Sequence, residues 1–383
     1  MSKHGRVLVA MSGGIDSSVA AVMLHEEGYE VIGMTMKTWD YSSAGGSKKE
    51  TGCCSLDSIN DARNIAVTLG FPHYILDIRE EFGDYVINHF TGEYLEGRTP
   101  NPCVLCNTHI KWDALLKRAD RLDCEKIATG HYAQVRHEND RYVISRGVDT
   151  LKDQSYALWG ISQESLSRTL YPLGHLRKTE IRNMAAERGF MDLVNKSESY
   201  EICFVPDNDY RGFLRRRVPG LDEQVAGGNF VLQDGTVVGQ HEGYPFYTIG
   251  QRKGLKIALG YPIFVTEIRK DTNEVVLGRD LELYRDSLVA GQITMGKYAS
   301  LEGRSLETVT KIRYKDPGSP AIITGQDGKI IVDFHEPVSA IAPGQAAVFY
   351  EGDDVVGGGW ILKAYNRDQN QAPTEHGTLH QHA

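Results

Sequence analysis

The chain has 383 residues, too many for one ordinary hydrophobic core and enough for two or three domains. A hydrophobic content of 41% with 24% charged residues excludes wholesale disorder, and no apolar run reaches the roughly 18 residues that a membrane helix needs. The net charge of −9 is spread over both halves (23 basic against 27 acidic up to residue 200, 19 against 24 after it), which excludes a basic nucleic-acid arm and leaves any RNA contact to local patches.

The N-terminus leads straight into an apolar run from Val7, with no signal-peptide core, so a cytoplasmic protein without a membrane partner is expected. Val7–Met11 reads as a buried strand, followed by a glycine turn and a helix through Val19, Val22 and Met23. Glu30–Met36 is a second strand, and Tyr41 to Gly52 reads as a mobile loop. Asp57–Leu69 is a helix closed by Gly70, His73–Ile78 a third strand and Lys126–Thr129 a fourth. This alternation predicts an α/β fold with a doubly wound parallel sheet over residues 1–205. A small central domain is expected over 206–280 and a C-terminal antiparallel β-barrel over 281–366, because short strands there are split by turns such as Asp234-Gly235 and Gln326-Asp327-Gly328. Residues 367–383, rich in Gln and His, read as a disordered tail.

The strongest chemical signal is Ser12-Gly13-Gly14-Ile15-Asp16-Ser17-Ser18, between the first strand and the first helix. Glycines let backbone N–H groups approach an anion, and a helix N-terminus adds partial positive charge. Ser17 and Ser18 are candidate donors to phosphate oxygens, and Asp16 a candidate Mg²⁺ ligand. The loop resembles the PP-loop of ATP pyrophosphatases. A second glycine-rich stretch, Gly291 to Tyr298, nearly matches a Walker A loop, but Tyr298 replaces the required Ser or Thr and no helix follows, so a strand and turn are expected.

Six cysteines lie at 53, 54, 103, 106, 124 and 203, and in a reducing compartment they point to packing, metal ligation or thiol chemistry. In Thr99-Pro100-Asn101-Pro102-Cys103-Val104-Leu105-Cys106 two prolines set a loop-to-helix junction before His109–Arg121, where a helix N-terminus favours thiolate. Cys203, between Ile202 and Phe204, has by itself the setting of a core residue. Arg211, Arg215, Arg216 and Arg217 form one basic cluster, and Lys311, Arg313 and Lys315 alternate with Ile312 and Tyr314 along an expected strand. Each set reads equally as a phosphate contact or a solvated surface.

The PP-loop, the Asn-Pro-Cys-x-x-Cys segment, Ala128–Tyr132, Lys152–Tyr156, Glu201–Phe204, Thr248–Leu255 and Pro343–Gln345 follow one another in one order. In that order they closely resemble the bacterial tRNA-specific 2-thiouridylases, from about residue 5 to 365. The resemblance implies ATP-dependent conversion of the wobble uridine of tRNA to 2-thiouridine, through adenylation of the uridine carbonyl oxygen. It implies that Ala10, Met11, Ser12, Gly13, Gly14, Ile15, Asp16 and Ser17 bind ATP phosphates, with Met36 near the adenine and Gly130 lining the pocket. Asn101, Pro102 and Cys103 would face the target base, and His131, Lys152, Asp153, Gln154, Arg313, Tyr314 and Gln345 would touch tRNA.

Two sulfur schemes stay open. In the family's persulfide scheme Cys203 carries sulfur delivered by a cysteine desulfurase or relay protein, and Cys106 releases it, leaving a Cys106–Cys203 disulfide. The best-known members carry Asp where this chain has Cys103, and three thiols, Cys103, Cys106 and Cys203, are a ligand set for a 4Fe–4S cluster that binds hydrosulfide. Cys106 and Cys203 are catalytic in both schemes. The alternatives are another PP-loop ATP pyrophosphatase acting on a small molecule or a different tRNA base, and a non-enzymatic RNA-binding or cluster-carrying protein. The last has no use for a phosphate-binding loop.

Overall fold

The computed structural model describes residues 2–39, 55–196, 202–205 and 207–367. The expected loop Tyr41–Gly52, the pair Cys53-Cys54 and all of the expected tail except Arg367 lie outside the described residues.

The N-terminal part is built on five parallel strands. These are β1 (Arg6–Ala10), β2 (Glu30–Lys37), β3 (His73–Asp77), β4 (Lys126–Thr129) and, beyond a hairpin of β5 (Ala133–Glu138) and β6 (Arg141–Arg146), β7 (Thr169–Leu170). Their order is β3-β2-β1-β4-β7, as a doubly wound sheet requires. Side chains alternate between two covered faces. Leu8, Ile32, Met34 and Ile127 pack with Trp112 and Leu115, while Val7, Val9, Val31 and Ala128 pack with α1 (Ile15–Glu27) and α2 (Leu56–Leu69) through Val19, Val22, Ala62 and Ile65. Both helices end at glycines in the left-handed region, Gly28 with φ 100° and Gly70 with φ 76°.

A four-stranded sheet follows: β8 (Asn229–Val231), β9 (Val237–Gln240), β10 (Phe264–Arg269) and β11 (Glu274–Gly278), in the order β10-β11-β8-β9. The last six strands are β12 (Tyr284–Met295), β13 (Ser305–Lys311), β14 (Ser319–Gln326), β15 (Lys329–Ser339), β16 (Ala346–Glu351) and β17 (Asp354–Tyr365). They run β12-β15-β14-β13-β16-β17, and β12 pairs back with β17, so the antiparallel barrel is closed and has no free edge among these six. The Walker-like stretch is the end of β12, and its Lys297 is bound to Glu351 and, at 2.8 Å, to Asp354.

The β5–β6 hairpin joins the barrel sheet rather than the parallel one, through the Asp354–Ser145 pair. Arg136 fixes that seam with bonds of 2.7 and 2.8 Å to Asp354. No sequence signal announces this pairing, which ties the parallel-sheet half to the barrel. Among the described residues no helix is long and apolar enough to cross a membrane.

Candidate active site

The loop between β1 and α1 leaves donors open. Gly14 is the N-cap of α1 and no side chain caps it, whereas Ser55 caps α2 by accepting from the Ser58 N–H at 3.2 Å. First-turn N–H groups have no acceptor within a helix and carry the positive end of its dipole, so this terminus suits an anion. The Ser17 hydroxyl shapes the loop: it accepts from the Ser12 N–H at 3.0 Å and donates to the Gly14 carbonyl at 3.2 Å. Ser12 is exposed; Ser18 is wholly buried with no hydrogen-bond partner for its hydroxyl, so the expectation that it reaches a phosphate is corrected. Gly13 has φ +68° and a Cβ there would meet the Ser58 carbonyl oxygen at 1.9 Å; at Gly130 a Cβ would lie 2.7 Å from the Ser17 nitrogen. Glycine at both positions lets α2 and the end of β4 close on the loop. Met36 is half-buried at the end of β2, while Met11 and Ile15 are core residues.

Asp16 is committed elsewhere than expected. Its carboxylate accepts from Lys178 at 2.7 and 2.8 Å and from the Tyr132 hydroxyl at 2.6 Å. The Lys178 side chain is only 8% exposed. A dication on Asp16 would sit beside this buried ammonium, so the residues present do not fit Mg²⁺ at Asp16. Lys196 ties the loop to α2 from the other side, donating to the Gly13 carbonyl and the Ser58 hydroxyl at 3.1 Å each and to Asp61 at 2.7 Å.

The cysteine segment is helical from Pro102, not from His109. Proline has the φ of a first helical residue and gives up an N–H that would have no acceptor there, and Asn101 Oδ1 accepts from the Val104 N–H at 3.4 Å. The first turn widens into a π-type stretch over Cys106–Lys111 before Trp112–Arg121. Cys103 is exposed, but surrounding protein desolvates it and raises its thiol pKa, with Lys111 opposing. This direction runs against the thiolate expected at the helix terminus. Cys106 is buried among Phe90, Ile110 and Phe204. Cys203 is exposed, against its apolar flanks, while Phe204 and Val205 anchor its segment in the cluster that holds Cys106. Phe204 packs edge-on against Phe90 at 5.1 Å. Cys124 is buried away from this site and pushed up to about 11 by desolvation.

All four described cysteines are thiols, and among the described residues no three His, Cys, Asp or Glu side chains converge as a metal-ion site. Cys103, Cys106 and Cys203 do not converge in this way, so the three as placed do not fit a 4Fe–4S cluster.

The barrel reaches this helix through one loop. Gln345 donates to the carbonyls of Thr99 at 3.1 Å and Pro100 at 2.9 Å, and the Thr99 N–H donates to Pro343 at 2.8 Å. Gly344, at φ +89°, would carry a Cβ 2.8 Å from the Thr99 oxygen, so the contact requires glycine. Gln345 is thus a clamp on the chain entering the Asn101–Cys106 turn.

The remaining expected RNA contacts fall on one stretch of surface with mixed duties. The Tyr314 hydroxyl donates to the Asp153 carbonyl at 3.2 Å, which brings the barrel turn to the 152–154 segment. The Asp153 carboxylate accepts from the N–H groups of Gly147 and Ser155, both at 3.1 Å, and Gln154 Oε1 accepts from the Tyr132 N–H at 3.0 Å. The Asp153 carboxylate is thus spent on the local turn, and the Gln154 carbonyl oxygen on the chain after β4. Lys152 is half-buried and Arg313 exposed. His131 is held by Thr129 at 2.8 Å beside Trp112 and is pushed down to about 3 by burial and by Lys111, so its ring is neutral at pH 7. One expectation is corrected and one open reading is narrowed. The strand expected over 311–315 stops at Lys311, because Asp316 accepts from the Ile312 N–H and turns the chain. In the arginine cluster, Arg215 pairs with Asp222 and Glu242 and Arg216 with Asp207, while Arg217 donates to Asn88 and Arg211 lies over Tyr247, so carboxylates offset the charge of two of the four.

Three family models match in succession: a tRNA methyl transferase HUP domain over residues 5–207, a tRNA methyl transferase PRC-barrel domain over 212–279 and an aminomethyltransferase β-barrel domain over 287–361. The chain is 75% identical to the tRNA-specific 2-thiouridylase MnmA of Cytophaga hutchinsonii, over 96% of this chain and 100% of that one. It is 72% identical to the protein of the same name from Amoebophilus asiaticus, over 95% and 97%, and 61% identical to that of Salinibacter ruber, over 94% and 95%. The chain belongs to the tRNA-specific 2-thiouridylase family.

Within this 2-thiouridylase, sequence reasoning missed Lys178, Lys196 and Lys111 as parts of the site, and it named Gln345 as a tRNA contact without foreseeing its hold on the Thr99–Pro100 turn. Lone lysines on helices carry no motif, and only the tertiary contacts single them out. The Thr248–Leu255 motif proves to be a hydrogen-bonded loop, its Gly250 N–H bound to Val265 at 2.8 Å and Gln251 bound back to Lys253, with Arg252 and Lys253 exposed.

Proposed function

We propose that this chain converts the wobble uridine of tRNA to 2-thiouridine at the expense of ATP, by a two-thiol route. The observation that carries the reading is the Thr99–Asn101 segment. Gln345 tethers it to the barrel, it runs directly into the helix of Cys103 and Cys106, and the Cys203 segment shares the cluster of Cys106. The names of the relatives and the open N-terminus of α1 support it. A methyl transfer would need neither an adenylating loop nor a thiol pair.

In this scheme the uridine carbonyl oxygen attacks the α-phosphorus of ATP, and pyrophosphate leaves. The poor leaving group has become AMP. The terminal sulfur of a Cys203 persulfide, supplied by a desulfurase or relay protein, attacks the activated carbon, and AMP departs with the oxygen. A Cys106 thiolate then attacks the Cys203 sulfur and expels the sulfur on the base. The products are 2-thiouridine and a Cys106–Cys203 disulfide, which an external dithiol, or two external thiols, resets by exchange and leaves as its own disulfide. Burial of Cys106 shields it from stray thiols until the persulfide arrives. Cys103, exposed and with a raised thiol pKa, takes no covalent part.

The test uses protein purified without oxygen, loaded with sulfur and mixed with ATP and tRNA. Nucleoside analysis is expected to show 2-thiouridine with AMP in equal amount, and none with Cys106→Ser or Cys203→Ser. Cys103→Asp is expected to remain active and free of iron. Bound iron and sulfide that disappear with activity in Cys103→Asp overturn the two-thiol route. Pyrophosphate release driven by a small molecule in the absence of RNA overturns the tRNA reading.

A further inference from the structure

A groove of about 300 Å³ lies between the Asn88–Leu95 helix and the β12–β17 seam of the barrel. Its lining is unlike a phosphate site. Arg98 is bound to Glu93 by hydrogen bonds of 2.8 and 2.6 Å, which cancel its charge at the wall. His89, its Nδ1 buried without a partner, is kept below the ordinary histidine pKa chiefly by burial, so its ring is neutral at pH 7. The Trp360 ring stands 6.0 Å from it, and Leu362 is exposed beside them. Gln292 sits where the β12–β17 register shifts, at φ +50°; it is exposed, and its side-chain amide makes no hydrogen bond to the described residues. A bulge that holds a non-glycine residue in the left-handed region re-aims a side chain at the cost of local strain.

We propose that this groove takes an unpaired base of the tRNA, a neighbour of the uridine being modified, stacked on Trp360 and His89 and read on its edge by the Gln292 amide. Unpaired RNA bases are held by aromatic faces and by hydrogen bonds to their edges. A groove with a neutralised arginine and a carboxylate rejects phosphate and accepts a flat, uncharged, polar-edged ring. The groove also opens at the right place. Gly344, part of its lining, is the residue pressed on Thr99, and Arg98 is the residue before Thr99, so the groove adjoins the segment that enters the cysteine helix. This inference rests on the tRNA reading above.

The experiment measures binding of a hairpin RNA with the anticodon loop, intact, with one loop base at a time replaced by a bare ribose, or with that base exchanged for each of the other three. The wild-type protein is expected to lose about five- to 150-fold in affinity at one position besides the modified uridine, the range for one stacked base. Trp360→Ala is expected to show a like loss with intact RNA and no further loss with that abasic RNA. Trp360 also packs on the core, so Gln292→Gly is the second variant: it removes the amide and suits φ +50°. It is expected to keep wild-type thermal stability and to lose discrimination among bases at the same position. Wild-type RNA binding with unaltered behaviour of both variants across the abasic series overturns the groove assignment alone. Absence of RNA binding by the wild-type protein overturns the tRNA reading and the groove together.

Discussion

The Asp16–Lys178 pair supports an asymmetric prediction. The Lys178 side chain is 8% exposed and that of Asp16 is 32% exposed. Removing one partner of a buried pair costs about 3–5 kcal/mol, because the survivor is left as an uncompensated charge. Asp16→Asn removes the charge held at 2.7 and 2.8 Å from a side chain only 8% exposed, so a cost toward that range is expected. Lys178→Met leaves a carboxylate that water reaches, that still accepts from Tyr132 at 2.6 Å, and that lies in the first turn of α1 where negative charge is favoured. Its cost falls to about 1–2 kcal/mol. The double variant removes both charges and is expected to be more stable than Asp16→Asn. Urea unfolding of the four proteins at pH 7 and fixed ionic strength measures the differences. Equal destabilisation by the two single variants, or a double variant no better than Asp16→Asn, refutes the reasoning. In turnover assays Lys178→Met sets a bare carboxylate beside the incoming phosphates, so KM for ATP should rise while tRNA affinity stays unchanged.

Gln345→Ala removes two hydrogen bonds from the Thr99–Pro100 turn, worth about 1–3 kcal/mol together; thiolation should fall more than tenfold with ATP affinity unaltered, and parallel ATP-binding and 2-thiouridine assays check this. Arg313 is exposed, so Arg313→Ala should weaken tRNA binding and reduce the slope of log affinity against log salt by about one, and an unchanged slope removes it from the phosphate contacts. His131, pushed down to about 3, lies below the ordinary value of about 6.5, so the unfolded chain takes up its proton first as pH falls. Its contribution is complete above about pH 6.5 and is lost progressively toward pH 3, at up to about 1.4 kcal/mol per pH unit. His73, His89 and His241 are lowered by burial in the same sense, so His131→Asn should flatten the acid limb of stability without abolishing it.

Local chemistry determined much of this protein. The alternation of Val7, Leu8 and Val9, the glycine stop at Gly70 and the Ser12–Ser17 turn each act within a few residues, through side-chain period, allowed φ and open N–H groups. They specify the parallel sheet and the anion-ready end of α1 whatever surrounds them. The order of the cysteine and Gln-containing segments likewise identified the family. Tertiary structure decided what depends on distant partners. Desolvation and Lys111 set the protonation of Cys103 and His131. A lysine 162 positions from Asp16 took the carboxylate expected to bind metal. Phe204 buried itself and left Cys203 outside. Gln345, 245 residues beyond Pro100, reached back to hold the turn before the cysteines. Charge, burial and register between segments far apart in sequence have no local period, so these contacts became legible only when the chain was folded.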